Sequence, residues 1–297
     1  MTLDDVRRIA VIGAGQMGSQ IAMQAALHGY EVRLQDISTA QLEKAMAGNR
    51  TQLERRVEKG KLGAEVRDAA LARVHPTTSL EDAAAEADFV IEAVVERLDD
   101  KKQVFARLDQ AAPRRAILAT NSSYIGNSKL GAVTSRPEKV VNMHFFFPPL
   151  VMRLVEVVKG EKTSEETVEV TAALARRIGR EPVVLRKELP GFLVNRILRA
   201  IQNEAYFLLE NVVATFADID KAAELGLNFP LGPFKLADFS GLDIGYYSRL
   251  DRYQETSNPG DQPPRALKVR VERGDLGRKT EKGFYDYSSD PPRPTED

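Results

Sequence analysis

Short apolar runs alternate with longer amphipathic stretches from residue 6 to about residue 186. The runs at 8–12, 31–35, 89–93, 116–120, 140–144, 154–158 and 182–186 read as strands. Helical spacing of apolar positions marks 15–27, 40–59, 100–111 and 164–178. Strand–helix alternation of this kind predicts a mostly parallel sheet with helices on both faces. The last two strands are expected to run antiparallel, because the 145–153 link is too short for a helical crossover. The pattern changes after Arg186. Leu189-Pro190-Gly191 is a break, and helical patterns follow at 192–213, 216–225 and 241–253 with no clear strand. A first domain at 1–187 and a second, all-helical one at 188–297 are therefore expected. Residues 258–264 read as a loop. The tail from Ser288, with Pro291, Pro292 and Pro294, reads as disordered.

Composition narrows the class. Apolar residues make up 43% of the 297 positions and charged residues 29%, the balance of a globular chain with a sizeable core. The formal net charge is -1 and the basic residues are dispersed, which argues against a nucleic-acid partner. The chain has no cysteine, so disulfides, thiolate nucleophiles and Cys-ligated metals are excluded. No metal site is expected. The first residues do not read as a signal peptide, and no apolar stretch approaches the ~20 residues of a membrane span. A cytoplasmic location without membrane contact is the default expectation.

The first strand runs into Gly13-Ala-Gly15-Gln16-Met17-Gly18, and a helix follows. This G-x-G-x-x-G turn sits where a dinucleotide fold needs it. Gly13 permits the turn, Gly15 lets the backbone approach a pyrophosphate, and Gly18 lets the helix pack on the sheet. The helix N-terminus offers free N–H groups to phosphates. Asp36 ends the second strand, where a carboxylate accepts from ribose hydroxyls and repels the extra phosphate of NADP. Arg33 points to the side of Gln35 rather than beside Asp36. The expected cofactor is NAD. The fold class is then α/β: an N-terminal Rossmann-type, doubly wound, mostly parallel sheet followed by a smaller all-helical C-terminal domain.

The chain has three histidines. His28, before Gly29, reads as a helix C-terminal residue, and His75, before Pro76 at a strand end, reads as structural. His144 ends an apolar strand and is followed by Phe145-Phe-Phe-Pro-Pro149. Carboxyl ends of strands line the ligand crevice of a doubly wound sheet, so His144 is placed to act as general acid and base. A base needs an orienting partner. Glu156, a lone carboxylate in Leu154-Val-Glu-Val-Val158, is costly there unless paired, and pairing with His144 would fix the imidazole tautomer.

On these residues the chain resembles the L-3-hydroxyacyl-CoA dehydrogenase family. The resemblance spans about residues 7–288. It rests on Val11-Ile-Gly-Ala-Gly-Gln-Met-Gly18, Val90-Ile-Glu-Ala-Val-Val-Glu96, Asn121-Ser-Ser123, His144-Phe-Phe, Val151-Met-Arg-Leu-Val-Glu156, Pro190-Gly-Phe-Leu-Val-Asn-Arg196 and Gly277-Arg-Lys-Thr-Glu-Lys-Gly-Phe-Tyr285. It implies an acyl-CoA substrate, His144 and Glu156 as the catalytic pair, and Ser123 and Asn195 as the groups holding the reacting oxygen. It also implies that Glu96 and Lys101 lie near the cofactor ribose and nicotinamide. Lys279 would reach the cofactor from the second domain, and Lys59 would lie near the coenzyme A phosphates. Closure of the second domain over the substrate and a homodimer are further implications. The pattern Ile201, Ala205, Leu208, Leu209, Val212 suits helix–helix packing, across a dimer or within one chain.

Two positions depart from the family. Phe147 stands where Asn is usual and Tyr124 where Ser is usual. Two rival readings remain at this stage. One is a dehydrogenase of a free hydroxy acid, like L-gulonate dehydrogenase and lambda-crystallin; the other is an NAD-binding protein without turnover.

Overall fold

The computed structural model describes residues 2–296. Two compact units divide the chain, Met1–Leu193 and Val194–Asp297, a few residues beyond the boundary expected from the sequence.

In the first unit, strands β1 (Arg8–Ile12), β2 (Glu31–Gln35), β3 (Val74–Thr77), β4 (Phe89–Glu92), β5 (Ile117–Thr120), β6 (Val140–Phe145), β7 (Leu154–Val158) and β8 (Glu181–Leu185) form one sheet. Its order is β3-β2-β1-β4-β5-β6-β7-β8. Pairs from β3 through β6 are parallel; β7 is antiparallel to β6, and β8 runs parallel to β7. The order reverses direction between β1 and β4, the switch point at which doubly wound sheets bind ligands. Helices α1 (Gln16–Leu27), α2 (Thr39–Glu58), α3 (Ala64–Ala72), α4 (Leu80–Ala84), α5 (Leu98–Ala111), α6 (Asn127–Gly131) and α7 (Glu165–Arg177) connect the strands.

Alternation along the strands builds two cores. Ile9, Val11, Phe89 and Ile91 pack with Ile21, Met23 and Leu174 on one face. Ala10, Ile12, Val90 and Leu118 pack with Phe105 and Leu108 on the other. Strands buried on both faces must read as continuous apolar runs, which is why the sequence marks β1, β4, β5 and β6 clearly. It does not mark β3, an edge strand in which Pro76 lacks a donor and His75 is exposed. Helices α3 and α4 are likewise too short to show a period.

The second unit contains α8 (Val194–Glu210), α9 (Phe216–Gly226), α10 (Pro233–Ser240), α11 (Leu242–Thr256) and α12 (Arg265–Arg273). Its core joins Ala205, Tyr206, Phe216, Phe234, Phe284 and Tyr285. Two expectations are corrected here. The unit is not wholly helical, because β9 (Tyr285–Asp286) pairs with β10 (Arg293–Pro294). The described part of the tail, residues 288–296, is ordered for the same reason, and Thr295 N–H also donates to Phe284 O at 3.0 Å. The buried Asp238 carboxylate fixes this segment by accepting from Phe284 N and Tyr285 N, both at 2.9 Å. Of the pattern proposed for helix packing, Ala205, Leu208 and Leu209 serve this intrachain core. Among the described residues no helix is long and apolar enough to cross a membrane.

Candidate active site

The glycine turn follows β1. A Cβ on Gly13, whose φ is +101°, would lie 2.6 Å from Ala93 O, and one on Gly18 would lie 1.8 Å from Gly13 O. Both positions therefore exclude any side chain. Gly15 differs, since a Cβ there would meet nothing within 4 Å. Gly15 is also the N-cap of α1 and supplies no side-chain cap, so the N–H groups of Gln16 and Met17 open the helix toward free space. An unfilled cradle at a helix N-terminus fits a dinucleotide pyrophosphate. Asp36 is tied to the same turn. Its Oδ2 accepts from Ala14 N at 2.9 Å and its Oδ1 from Ser38 N at 3.0 Å. Each oxygen keeps a second lone pair for ribose hydroxyls, so capping the turn and holding a ribose are compatible.

The antiparallel register of β6 and β7 sets His144 directly opposite Glu156. Nδ1 of His144 lies 2.8 Å from Glu156 Oε2, and Nε2 lies 3.0 Å from Ser123 Oγ. Both members of the pair are buried. Glu156 Oε1 accepts from Leu193 N at 3.0 Å, so both carboxylate oxygens are engaged. An ionised carboxylate only accepts; opposite one, Nδ1 carries a proton, and in the neutral ring that leaves the lone pair on Nε2. Phe146 and Phe192 pack edge-on against the imidazole, with centroids 4.7 and 5.5 Å away. The other histidines are structural. His28 Nδ1 lies 2.9 Å from Gln24 O at the end of α1, and His75 pairs with Glu31 on the surface.

Ser123 lies on the loop after β5, and its support was not foreseen. Asn142 donates to Ser122 O at 2.9 Å, and Phe145 N donates to Asn121 Oδ1 at 2.9 Å. Glu96 Oε1 accepts from Ser122 Oγ, and from Ser123 N and Tyr124 N at 3.1 Å each. Lys101 is buried, with Nζ 2.6 Å from Glu92 Oε1 and 3.3 Å from Glu96 Oε2. Burial works to raise the Glu96 carboxyl. The Lys101 ammonium and the hydrogen bonds from Ser122 and Tyr124 outweigh it and hold the group below its ordinary value. Glu92, Asn121 and Asn142 were missed in the sequence. Each is a polar residue in or beside an apolar strand, the same signal that picked out Glu156. Among the described residues no group of three or more His, Asp or Glu side chains could hold a metal ion.

Two family profiles cover nearly all of the chain. "3-hydroxyacyl-CoA dehydrogenase, NAD binding domain" matches residues 8–189, and "3-hydroxyacyl-CoA dehydrogenase, C-terminal domain" matches residues 191–287. The chain belongs to the 3-hydroxyacyl-CoA dehydrogenase family. Its members similar to this chain include the probable 3-hydroxybutyryl-CoA dehydrogenase of Bacillus subtilis, 39% identical over 95% of this chain and 98% of that protein. The 3-hydroxyadipyl-CoA dehydrogenase of Escherichia coli is 40% identical over 96% of this chain and 60% of its own length. The crystal structure of (S)-3-hydroxybutyryl-CoA dehydrogenase from Ralstonia eutropha superposes with a TM-score of 0.88 at 39% identity, covering 96% of this chain and all of that one, 100%. As a family member this protein is an NAD-dependent dehydrogenase, and the glycine turn belongs to its NAD-binding domain.

The other positions singled out in the sequence of this 3-hydroxyacyl-CoA dehydrogenase family member are distributed over both units. Lys59 is the exposed C-cap of α2, whose last turn carries Arg55 and Arg56. Asn195 lies half-buried in the first turn of α8. Lys279 pairs with Asp243 at 2.5 Å within the second unit. Of the two departures, Tyr124 is half-buried beside Ser123, whereas Phe147 is 57% exposed just beyond β6.

Proposed function

We propose that the protein interconverts 3-hydroxyacyl-CoA and 3-ketoacyl-CoA, with His144 as general acid and base. The observation that carries this reading is the imidazole whose Nδ1 is held by a buried carboxylate while Nε2 faces the Ser123 hydroxyl. NAD, when bound, supplies the hydride acceptor. A substrate hydroxyl beside Nε2 gives up its proton to that nitrogen as the C3 hydrogen leaves as hydride. Glu156 stabilises the imidazolium so formed. In the reverse direction protonated His144 donates to the carbonyl oxygen. Ser123 and Asn195 hold the reacting oxygen, Lys279 reaches the cofactor, and Lys59 serves the coenzyme A phosphates. Gly13, Gly15, Gln16, Met17, Gly18 and Asp36 bind the dinucleotide, with Glu96 and Lys101 at its nicotinamide end. Oxidation releases one proton, so high pH favours it and low pH favours reduction.

The reading includes a homodimer. Support comes from α8, which leaves Ile197 and Phe207 exposed while Ala205 and Tyr206 are buried.

Initial rates of NADH oxidation with 3-ketoacyl-CoA substrates from four carbons upward, set against free keto acids, test the substrate class. Turnover confined to the free acids would replace the acyl-CoA reading with the hydroxy-acid one. A His144→Gln variant should bind NADH as the parent does and lose on the order of 10² to 10⁴ in kcat. Near-parental turnover would remove His144 from the mechanism.

A further inference from the structure

Glu92 ends β4 as a fully buried carboxylate that the proposed proton transfer does not use. All its neighbours are donors: Val94 N at 2.7 Å and Lys101 Nζ at 2.6 Å on Oε1, and Thr120 Oγ1 at 2.6 Å on Oε2. Lys101 is as deeply buried, and it also contacts Glu96 at 3.3 Å. Two carboxylates thus share one ammonium, and the cluster keeps one formal negative charge. That remaining charge lies on the site side. Glu96 is the partly exposed member, and it clamps the Ser122–Tyr124 backbone that holds Ser123 Oγ 3.0 Å from His144 Nε2.

Hydride transfer brings donor carbon and acceptor ring within about 3–3.5 Å of each other. Any ring that takes hydride from a carbon served by Nε2 therefore lies next to this loop. The oxidised nicotinamide ring is positively charged and the reduced ring is neutral, while the rest of the dinucleotide carries the same charge in both states. Protein charge near the ring is thus a means of setting its redox preference.

We propose that Glu92 is a positioning residue that shares Lys101 with Glu96 and so keeps a net negative charge beside the ring that takes the hydride, favouring the oxidised cofactor. Without it, the Lys101 ammonium turns wholly to Glu96, neutralises it and draws it off the Ser122–Tyr124 loop. The inference rests on the reading that His144 Nε2 faces the reacting carbon.

The test is the ratio of dissociation constants, Kd(NAD+) over Kd(NADH), by calorimetry and by nicotinamide fluorescence, without turnover. A unit charge about 10 Å away through an effective dielectric of about 40 changes such a ratio on the order of fourfold. Glu92→Gln should raise the ratio by that factor. The double variant Glu92→Gln/Lys101→Met removes both charges of the buried pair and leaves Glu96 charged; any contact of Lys101 with the dinucleotide common to both redox states moves the two constants together, so the ratio should return to within about twofold of the parent. A residue with a purely architectural role would lower Tm and move both constants together, leaving the ratio alone. An unchanged ratio in Glu92→Gln, or the same ratio in the single and double variants, overturns the proposal. If Glu92→Gln does not fold, a double variant whose ratio departs from the parent's overturns it as well. Failure of the underlying reading looks different, because His144→Gln would then keep parental turnover whatever the binding ratios show.

Discussion

At His144 a single pairing register sets the geometry. The opposed position on β7 places a carboxylate within 2.8 Å of Nδ1, and the second carboxylate oxygen is taken by Leu193 N. A Glu156→Gln variant offers one oxygen to these two donors, so one contact becomes donor against donor. It also loses the charge that, in the proposed proton transfer, stabilises the imidazolium. We expect kcat to fall on the order of 10²-fold with NADH affinity within about twofold of the parent; steady-state kinetics beside NADH titration would check this, and unaltered kcat would dismiss Glu156 as the orienting group. Phe147 makes the opposite case. It is bulky, apolar and open to solvent beyond the strand that carries His144, in place of the amide usual in the family. Phe147→Asn should alter the dependence of kcat/KM on acyl length, with the longer chains losing most. An unchanged profile across the series would show that Phe147 does not touch the acyl group. The sequence revealed His144 and Glu156 because polar groups in apolar strands demand partners. By the same argument it could have revealed Glu92 and Asn142. It could not reveal their partners, because Glu92 meets Lys101 only after α5 folds back along the sheet, and Asn142 meets Ser122 only across a strand pair.

At the scale of elements, legibility follows the apolar run rather than burial alone. Strands covered on both faces were plain in the sequence, and so was the edge strand β8 with its apolar Val183-Val184-Leu185, whereas β3, with His75 and Pro76, and the two-residue strands of the β9–β10 hairpin have no such run to show. Some junctions between elements depend on single polar residues. Asp88, just before β4, accepts from Arg7 N and Arg8 N at 3.0 Å each and from Arg115 Nη2 at 2.7 Å. It thereby ties the start of β1 to β4 at the end of the sheet remote from the glycine turn. Burial works to raise its carboxyl, but the Arg7 and Arg8 amides and the Arg115 guanidinium prevail and hold it below its usual value. A carboxyl depressed in the folded state stabilises above its unfolded pKa, and that stabilisation is lost as pH falls through the folded value. Asp88→Ala should therefore cost about 2 kcal/mol at neutral pH and flatten the loss of stability on acidification below about pH 4. Urea melts between pH 3 and 7 would show both effects. An equal pH slope in variant and parent would mean that other carboxylates govern acid stability.

For the whole molecule the question is what covers the apolar surface that one chain leaves in water. The helix α8 carries both answers on opposite sides. Ala205 and Tyr206, with half-buried Leu208 and Leu209, complete the core of the second unit, so part of the apolar pattern read from the sequence is satisfied inside the chain, while Val212 is not. The residues left over are Ile197, at 53% exposure, Ala200 and Phe207, at 58%, which recur at helical spacing along another side of α8. Val212 and Val213 extend this exposure past the helix end. Apolar side chains exposed along one helix, here with Glu204 among them, suit association, and a row along one helix is suited to a two-fold contact in which the same residues face each other. Phe207→Glu would then set two carboxylates against each other at the axis without disturbing the intrachain core, because the Phe207 ring is outside it. Sedimentation velocity at micromolar concentration should give the parent about twice its 32.9 kDa chain mass and the variant a single chain with unchanged helical circular dichroism. A parent that sediments as one chain would refute the homodimer outright. A variant that remains paired would move the contact to another face and leave this row open for a different partner.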